Sequence, residues 1–222
     1  MKRIFIDVDT QEDFCNPSGS LYVKGTPLAT IKKIVNFALE NKIPILGSVD
    51  SHFWDAWEFA SNSNLGPNGI KPNFPDHCIK GTFGWLKIPE TLPPRSKFIP
   101  QNSIILESLV DELISNQTQG IYFEKEVYSL FANPSADIFF EKLYQKINTT
   151  KREVECLIFG VATDYCVKEA ALGLISRGVK TTVITDGIAG ITPEGTEEAL
   201  KEMNEAGVEF TTFQVLSKLY EK

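Results

Sequence analysis

Cys166 stands where a thiol could act as a nucleophile, in the stretch Gly160-Val161-Ala162-Thr163-Asp164-Tyr165-Cys166-Val167. An apolar run in front of it, Val154 to Phe159, predicts a strand. The run behind it, Lys168 to Arg177 closed by Gly178, predicts a helix. Thr163 reads as the N-cap of that helix, with Asp164 in its first turn. Cys166 then falls where free backbone N–H groups and the helix dipole favour an anion, which lowers a thiol pKa. A strand, a turn and a helix with a nucleophile in the first turn form a recurring reactive site. A lone cysteine is more often a buried structural residue, so the case depends on what else the chain brings to it.

Asp50-Ser51-His52 places a carboxylate and an imidazole two residues apart, on one side of an extended backbone. His77 is the only other histidine. A carboxylate with two imidazoles suits Zn²⁺, Fe²⁺ or Mn²⁺ and leaves coordination positions open. A third group, Asp7, Asp9, Glu12 and Asp13, follows the short apolar run Arg3 to Val8. Asp9 beside Cys166 could take its proton and pass it to a leaving amine. Asp7 lies on the same side of an extended strand, and spacing alone does not choose between the two. Lys125 ends the run Gly120 to Glu124, where an ammonium could stabilise nearby anions.

The elements that must position these groups alternate. Strands are predicted at Arg3–Val8, Ile43–Val49, Gly120–Glu124, Val154–Phe159, Val179–Thr185 and Val208–Thr212. Helices are predicted from Thr26-Pro27 with Thr26 as N-cap, in part of Ile104–Ile114, over Pro134–Ile147, after Cys166, over Pro193–Ala206, and at the end of the chain. The segment from Ser51 to Gln101 has no period; it holds all three Trp and both His, and reads as a long functional loop. Alternating strands and helices predict one domain over residues 1–222, a three-layer α/β/α sandwich with a six-stranded parallel sheet. Sites in such sheets lie beyond the strand C-termini. Asp9, Asp50 with His52, Lys125 and Cys166 stand at four such ends.

The net charge of −7 argues against nucleic acid or an anionic membrane as partner. Cys15, Cys78, Cys156 and Cys166 have no CxxC spacing and point to a reducing cytoplasm. No signal peptide and no run long enough to span a membrane is visible.

The motifs together resemble the isochorismatase-like family of cysteine hydrolases, in its metal-dependent nicotinamidase branch. Asp9-Thr10-Gln11-Glu12-Asp13-Phe14 is similar to the family's D-x-Q-x-D-F opening, and Asp50-Ser51-His52 to its metal D-x-H. Phe74-Pro75-Asp76-His77-Cys78-Ile79-Lys80-Gly81-Thr82 is similar to W-P-x-H-C-x-x-G-T, with Phe in place of Trp. Gly160 to Val167 matches the nucleophile motif almost throughout.

The resemblance implies an Asp9–Lys125–Cys166 triad, a cis peptide between Val161 and Ala162, and an oxyanion hole from the N–H groups of Ala162 and Cys166. It implies one divalent metal ion, zinc first with iron or manganese as alternatives, on Asp50, His52 and His77, with Glu58 as a further candidate ligand. Phe14, Phe74, Tyr128 and Tyr165 are the candidate substrate walls. The implied activity is hydrolysis of nicotinamide to nicotinate and ammonia through a thioester, with a homo-oligomer left open. The rivals are a family amidase acting on a carbamoyl or ureido compound, a vinyl-ether hydrolase, and a non-enzymatic binding protein that keeps the fold.

Overall fold

The computed structural model describes residues 2–62, 65, 66, 69–71, 73–105 and 107–220. Its strands are β1 (Lys2–Val8), β2 (Ile45–Asp50), β3 (Lys97–Ile99), β4 (Gly120–Lys125), β5 (Val154–Val161), β6 (Lys180–Ala189) and β7 (Glu209–Thr211). They form one parallel sheet in the order β3-β4-β2-β1-β5-β6-β7. The sheet therefore has seven strands among the described residues, where six were expected. The added edge strand, β3, lies inside the segment read as loop. Three residues are too few to show a period, and β3 exists only through its pairing with β4.

Side chains alternate across the sheet, so each strand feeds two cores. Ile4, Ile6 and Val8 face one side, with Ile121 and Phe123 of β4. The helices α3 (Glu107–Ile114), α4 (Pro134–Lys146), α5 (Lys168–Ser176) and α6 (Pro193–Glu205) cover that side. Leu106, in the run expected to be partly helical, lies outside the described residues. Phe5, Ile45, Tyr122, Leu157 and Phe159 face the other side, under α2 (Leu28–Glu40) and α7 (Phe213–Lys218).

Helix α2 buries Ile31, Ile34, Val35 and Ala38, an apolar stripe at helical spacing. Its start departs from expectation: the residue before the helix is Pro27, and the Thr26 hydroxyl donates to the Val23 carbonyl at 2.6 Å instead of capping. Helix α6 starts as expected, with the Thr192 hydroxyl accepting from Gly195 N–H at 3.0 Å. Among the described residues, no helix is long and apolar enough to cross a membrane.

Strand β1 lies at the centre, with β2 on one side and β5 on the other. This is where the order of connection reverses, and the crevice beyond the strand ends opens here.

Candidate active site

The short helix α1 (Glu12–Cys15) and the segment after β2 are stitched together by side chains acting as backbone. The buried Gln11 amide donates to the carbonyls of Asp50 (2.8 Å) and Trp85 (2.9 Å), and its oxygen accepts from Asp50 N–H (2.7 Å). Gln11 thus splints the end of β2 to the end of β1. Asp13 accepts from Ser20 N–H at 3.0 Å and Cys78 N–H at 2.7 Å, tying the first loop to the segment that carries His77. His52 N–H donates to the Cys78 carbonyl, and Phe74 N–H to that of Glu58. The aperiodic segment is therefore held in place by hydrogen bonds that no local period could reveal.

Asp7 and Asp9 part company because β1 stops at Val8. Asp9 has φ +46°, a left-handed conformation uncommon outside glycine. That turn takes Asp9 off the strand alternation that would have put it beside Asp7. Asp7 forms a wholly buried pair with Lys87 at 2.8 Å, supported by Thr10 at 2.8 Å and the Tyr122 hydroxyl at 3.2 Å. Lys87 also donates to Thr10 at 2.6 Å and lies 4.3 Å from the Tyr122 ring centroid. Asp9 instead pairs with Lys125 at 2.8 Å and accepts from the Ser48 hydroxyl at 2.7 Å.

Sequence reasoning passed over Lys87, since a lysine in an aperiodic loop carries no signal of burial. Removing one member of a buried pair strands the other charge. Lys87→Met is expected to cost about 3–5 kcal/mol, and Asp7→Val with Lys87→Met is expected to recover most of that loss. Urea denaturation of the two variants checks both.

Lys125 reaches two carboxylates and the nucleophile's sulfur. Its Nζ is 2.8 Å from Asp9, 3.2 Å from Asp50 and 3.4 Å from the Cys166 sulfur. Burial works against its ammonium, but Asp50, Asp9 and Cys166 outweigh it and raise its pKa well above the usual lysine range. Asp50 is held well below the usual carboxylate range: burial opposes this, and Lys125 and then His52 prevail.

The nucleophile's setting corrects one expectation. Residues Thr163–Val167 form a single π-helical turn leading into α5, and its N-cap position is Ala162. Thr163 does not cap it; its hydroxyl is buried with no hydrogen-bond partner among the described residues. The thiol pKa is raised, not lowered. Burial is the largest cause, Lys125 opposes it, and Asp9 and Asp50 add to the rise. Desolvation and two nearby carboxylates set this direction. The hydrogen bond to the Cys166 sulfur comes from Lys125 Nζ, at 3.4 Å. Burial pushes the other thiols up as well, Cys15 to about 12. Of the four, Cys166 is the one that lines the cavity.

The Val161–Ala162 peptide is cis, as the resemblance implied. Gly160 just before it has φ +121°, and a Cβ there would meet the Val8 carbonyl oxygen at 2.1 Å, so only glycine fits. The N–H groups of Tyr165 and Val167 both go to the Ala162 carbonyl.

Asp50, His52, Glu58 and His77 are all buried, and one ligand atom from each lies within 4.8 Å of the others. His52 Nε2 is 3.0 Å from Asp50 and 2.9 Å from Glu58; His77 Nε2 is 3.3 and 3.4 Å from the same two oxygens. The Pro75 carbonyl, 2.7 Å from His77 Nδ1, can only accept, so the proton belongs on Nδ1. The lone pair of His77 Nε2 then faces two carboxylates, an arrangement that calls for a cation between them. His52 answers to the same field: burial opposes its imidazolium, but Asp50 and Glu58 raise its pKa to about 10. This two-nitrogen, two-oxygen set fits a divalent metal ion. Glu58 joins the three expected ligands, brought in because residues 58–60 pair with Phe74 beside His77.

One cavity is lined by Cys166 and Ala162 on one side and by Asp50, Glu58 and His77 on another. Phe14, Phe74, Tyr128 and Tyr165, the four candidates from sequence, all line it. Tyr165 stands between Phe74 and Tyr128, with ring centroids 5.6 and 5.2 Å away. Leu21 and Ile191 complete the lining. Neither was singled out in the sequence, because both follow turns and belong to no periodic face.

The chain is 30% identical to a nicotinamidase of Saccharomyces cerevisiae, over 84% of this chain and 87% of that one. It is 26% identical to a nicotinamidase of Escherichia coli, over 95% and 94%. Its fold is similar to that of a Pyrococcus horikoshii pyrazinamidase solved in complex with zinc (TM-score 0.68, 24% identity, 96% of this chain and 100% of that one). Residues 3–215 match the isochorismatase domain. With the match running from β1 to α7, the chain belongs to the isochorismatase family.

Proposed function

We propose that the protein hydrolyses nicotinamide to nicotinate and ammonia. The observation that carries this reading is the shared cavity: a buried cysteine with its own lysine and aspartate opens onto the same apolar space as a four-residue metal cluster. The cavity is narrow and aromatic-walled, which suits one flat ring bearing a carboxamide. The related nicotinamidases support the choice of amide.

Asp50, His52, Glu58 and His77 would hold a divalent ion, zinc first and iron or manganese as alternatives, which would supply a Lewis acid to anchor the substrate's ring. Asp9 accepts the Cys166 thiol proton, and the sulfur attacks the carboxamide carbon. The N–H groups of Ala162 and Cys166 would hold the oxyanion. Asp9 returns the proton to the nitrogen, ammonia leaves, and a thioester remains. Water then gives a proton to Asp9 and attacks the thioester; nicotinate leaves and the thiol is restored. Lys125 pairs with Asp9 and offsets the charge that grows on sulfur.

The four cysteines are free and buried, which supports a cytoplasmic location. The deciding experiment is ammonia release from nicotinamide by the metal-loaded protein. Release is expected, and its absence would overturn the assignment to nicotinamide.

A further inference from the structure

The Asp164 carboxylate lies in the nucleophile turn, two residues before Cys166, yet it is used across the chain. Its Oδ1 accepts from Ile191 N–H at 2.9 Å. Its Oδ2 accepts from Thr192 N–H at 3.1 Å and lies 3.5 Å from the Thr192 hydroxyl. Asp164 is 9% exposed, and these donors sit at the start of α6, where N–H groups and the helix dipole favour a carboxylate.

Two glycines keep room for it. A Cβ at Gly190 would meet the Thr196 hydroxyl oxygen at 2.0 Å and Asp164 Oδ1 at 3.1 Å; one at Gly195 would meet Asp164 Oδ2 at 2.9 Å. The segment it grips follows a register shift in the pairing of β6 with β5, after which Ile188 and Ala189 pair with Gly160 and Val161. Beyond that pairing Ile191, 36% exposed, reaches the cavity wall.

We propose that Asp164 is a positioning residue that latches residues 190–192 to the nucleophile turn, so that Ile191 closes the cavity over the ring of the substrate. The turn that carries Cys166 and the lip that confines the ring are thereby one unit. Loss of the latch loosens ring binding and leaves the thiol chemistry in place. This rests on the aromatic-amide reading of the cavity.

Asp164→Asn is the sharpest probe, because the two N–H donors use different oxygens and one of them would face an NH₂ group. Amide exchange at Ile191 and Thr192 is expected to quicken by about tenfold or more, while Ile158 in β5 stays protected. The KM for nicotinamide is expected to rise about tenfold, with kcat within about threefold. Alkylation of Cys166 by iodoacetamide should change by less than about twofold. Ile191→Ala should reproduce the KM effect, and the double variant should be no worse than the more severe single one. Gly190→Ala, which crowds the lip and leaves the carboxylate intact, should raise KM as well, and it replaces Asp164→Asn if that variant does not fold.

Unchanged exchange at Ile191 and Thr192 would overturn the latch. So would additive effects in the double variant, or a fall in kcat and alkylation at constant KM, which would place Asp164 in the thiol chemistry. If the wild type does not turn over nicotinamide, the proposed function falls, while exchange and alkylation still decide the latch.

Discussion

Replacing Cys166 with alanine is expected to lower nicotinamide turnover by roughly 10⁴-fold or more while leaving the fold intact. The side chain is small and lines the cavity, so alanine removes the attacking atom with little repacking. The companion variant Asp9→Asn separates nucleophile from base. Burial and two carboxylates raise the Cys166 pKa, so attack is expected to draw on proton removal by Asp9 at the moment of reaction. Asn keeps the shape of Asp9 but takes no proton, and a loss of about 10²–10⁴-fold is expected. Alkylation of Cys166 by iodoacetamide should not slow in the same variant, because the Asp9 charge that raises the thiol pKa is gone; turnover falls while the thiol stays reactive. Ammonia release and alkylation rates read the two effects. Retention of more than about a tenth of wild-type activity in Cys166→Ala would remove this cysteine from the chemistry.

The second large effect concerns the metal cluster. Exhaustive chelation is expected to reduce ammonia release to background, and zinc, iron or manganese salts should restore it to different extents. The bound ion should amount to about one per chain by elemental analysis, from the one four-residue set among the described residues. Glu58→Gln keeps the size of the side chain and removes the charge that faces both imidazoles, 2.9 Å from His52 and 3.4 Å from His77. Its metal affinity is expected to fall by about 10²-fold, at least the loss seen when an outer-shell partner is removed. Full activity in protein shown to be free of metal would refute this role for the cluster. Asp50 makes the cluster more than an isolated centre. One of its oxygens faces the two histidines and the other is 3.2 Å from Lys125, so its replacement should damage metal binding and the triad together.

Much of this arrangement was legible in the chain itself. The apolar runs that became β1, β2, β4, β5, β6 and β7, and the stripe on α2, are local periodicities set by which side chains must leave water. Reactive residues at strand ends follow from the geometry of parallel sheets, so Asp50, Lys125 and Cys166 could be placed at one edge before any contact was known. Motif resemblance carried Asp9, His77 and the four aromatic walls.

Tertiary structure decided the rest, because these properties depend on partners distant in sequence. Asp9 and Asp7 are separated by a positive φ at the end of β1, and each acquires a different lysine, 116 and 80 positions away in the chain. The three residues of β3 are a strand only because β4 pairs with them. The sign of the Cys166 pKa shift turned on desolvation and on the charges of Asp9 and Asp50, partners that no local pattern names. Asp164 reads as a first-turn carboxylate, but its hydrogen bonds go to Ile191 and Thr192. Sequence determined which residue types arrive at the sheet edge, since periodicity and strand ends are local. The fold determined which charges meet there, since burial and pairing are set by the whole chain.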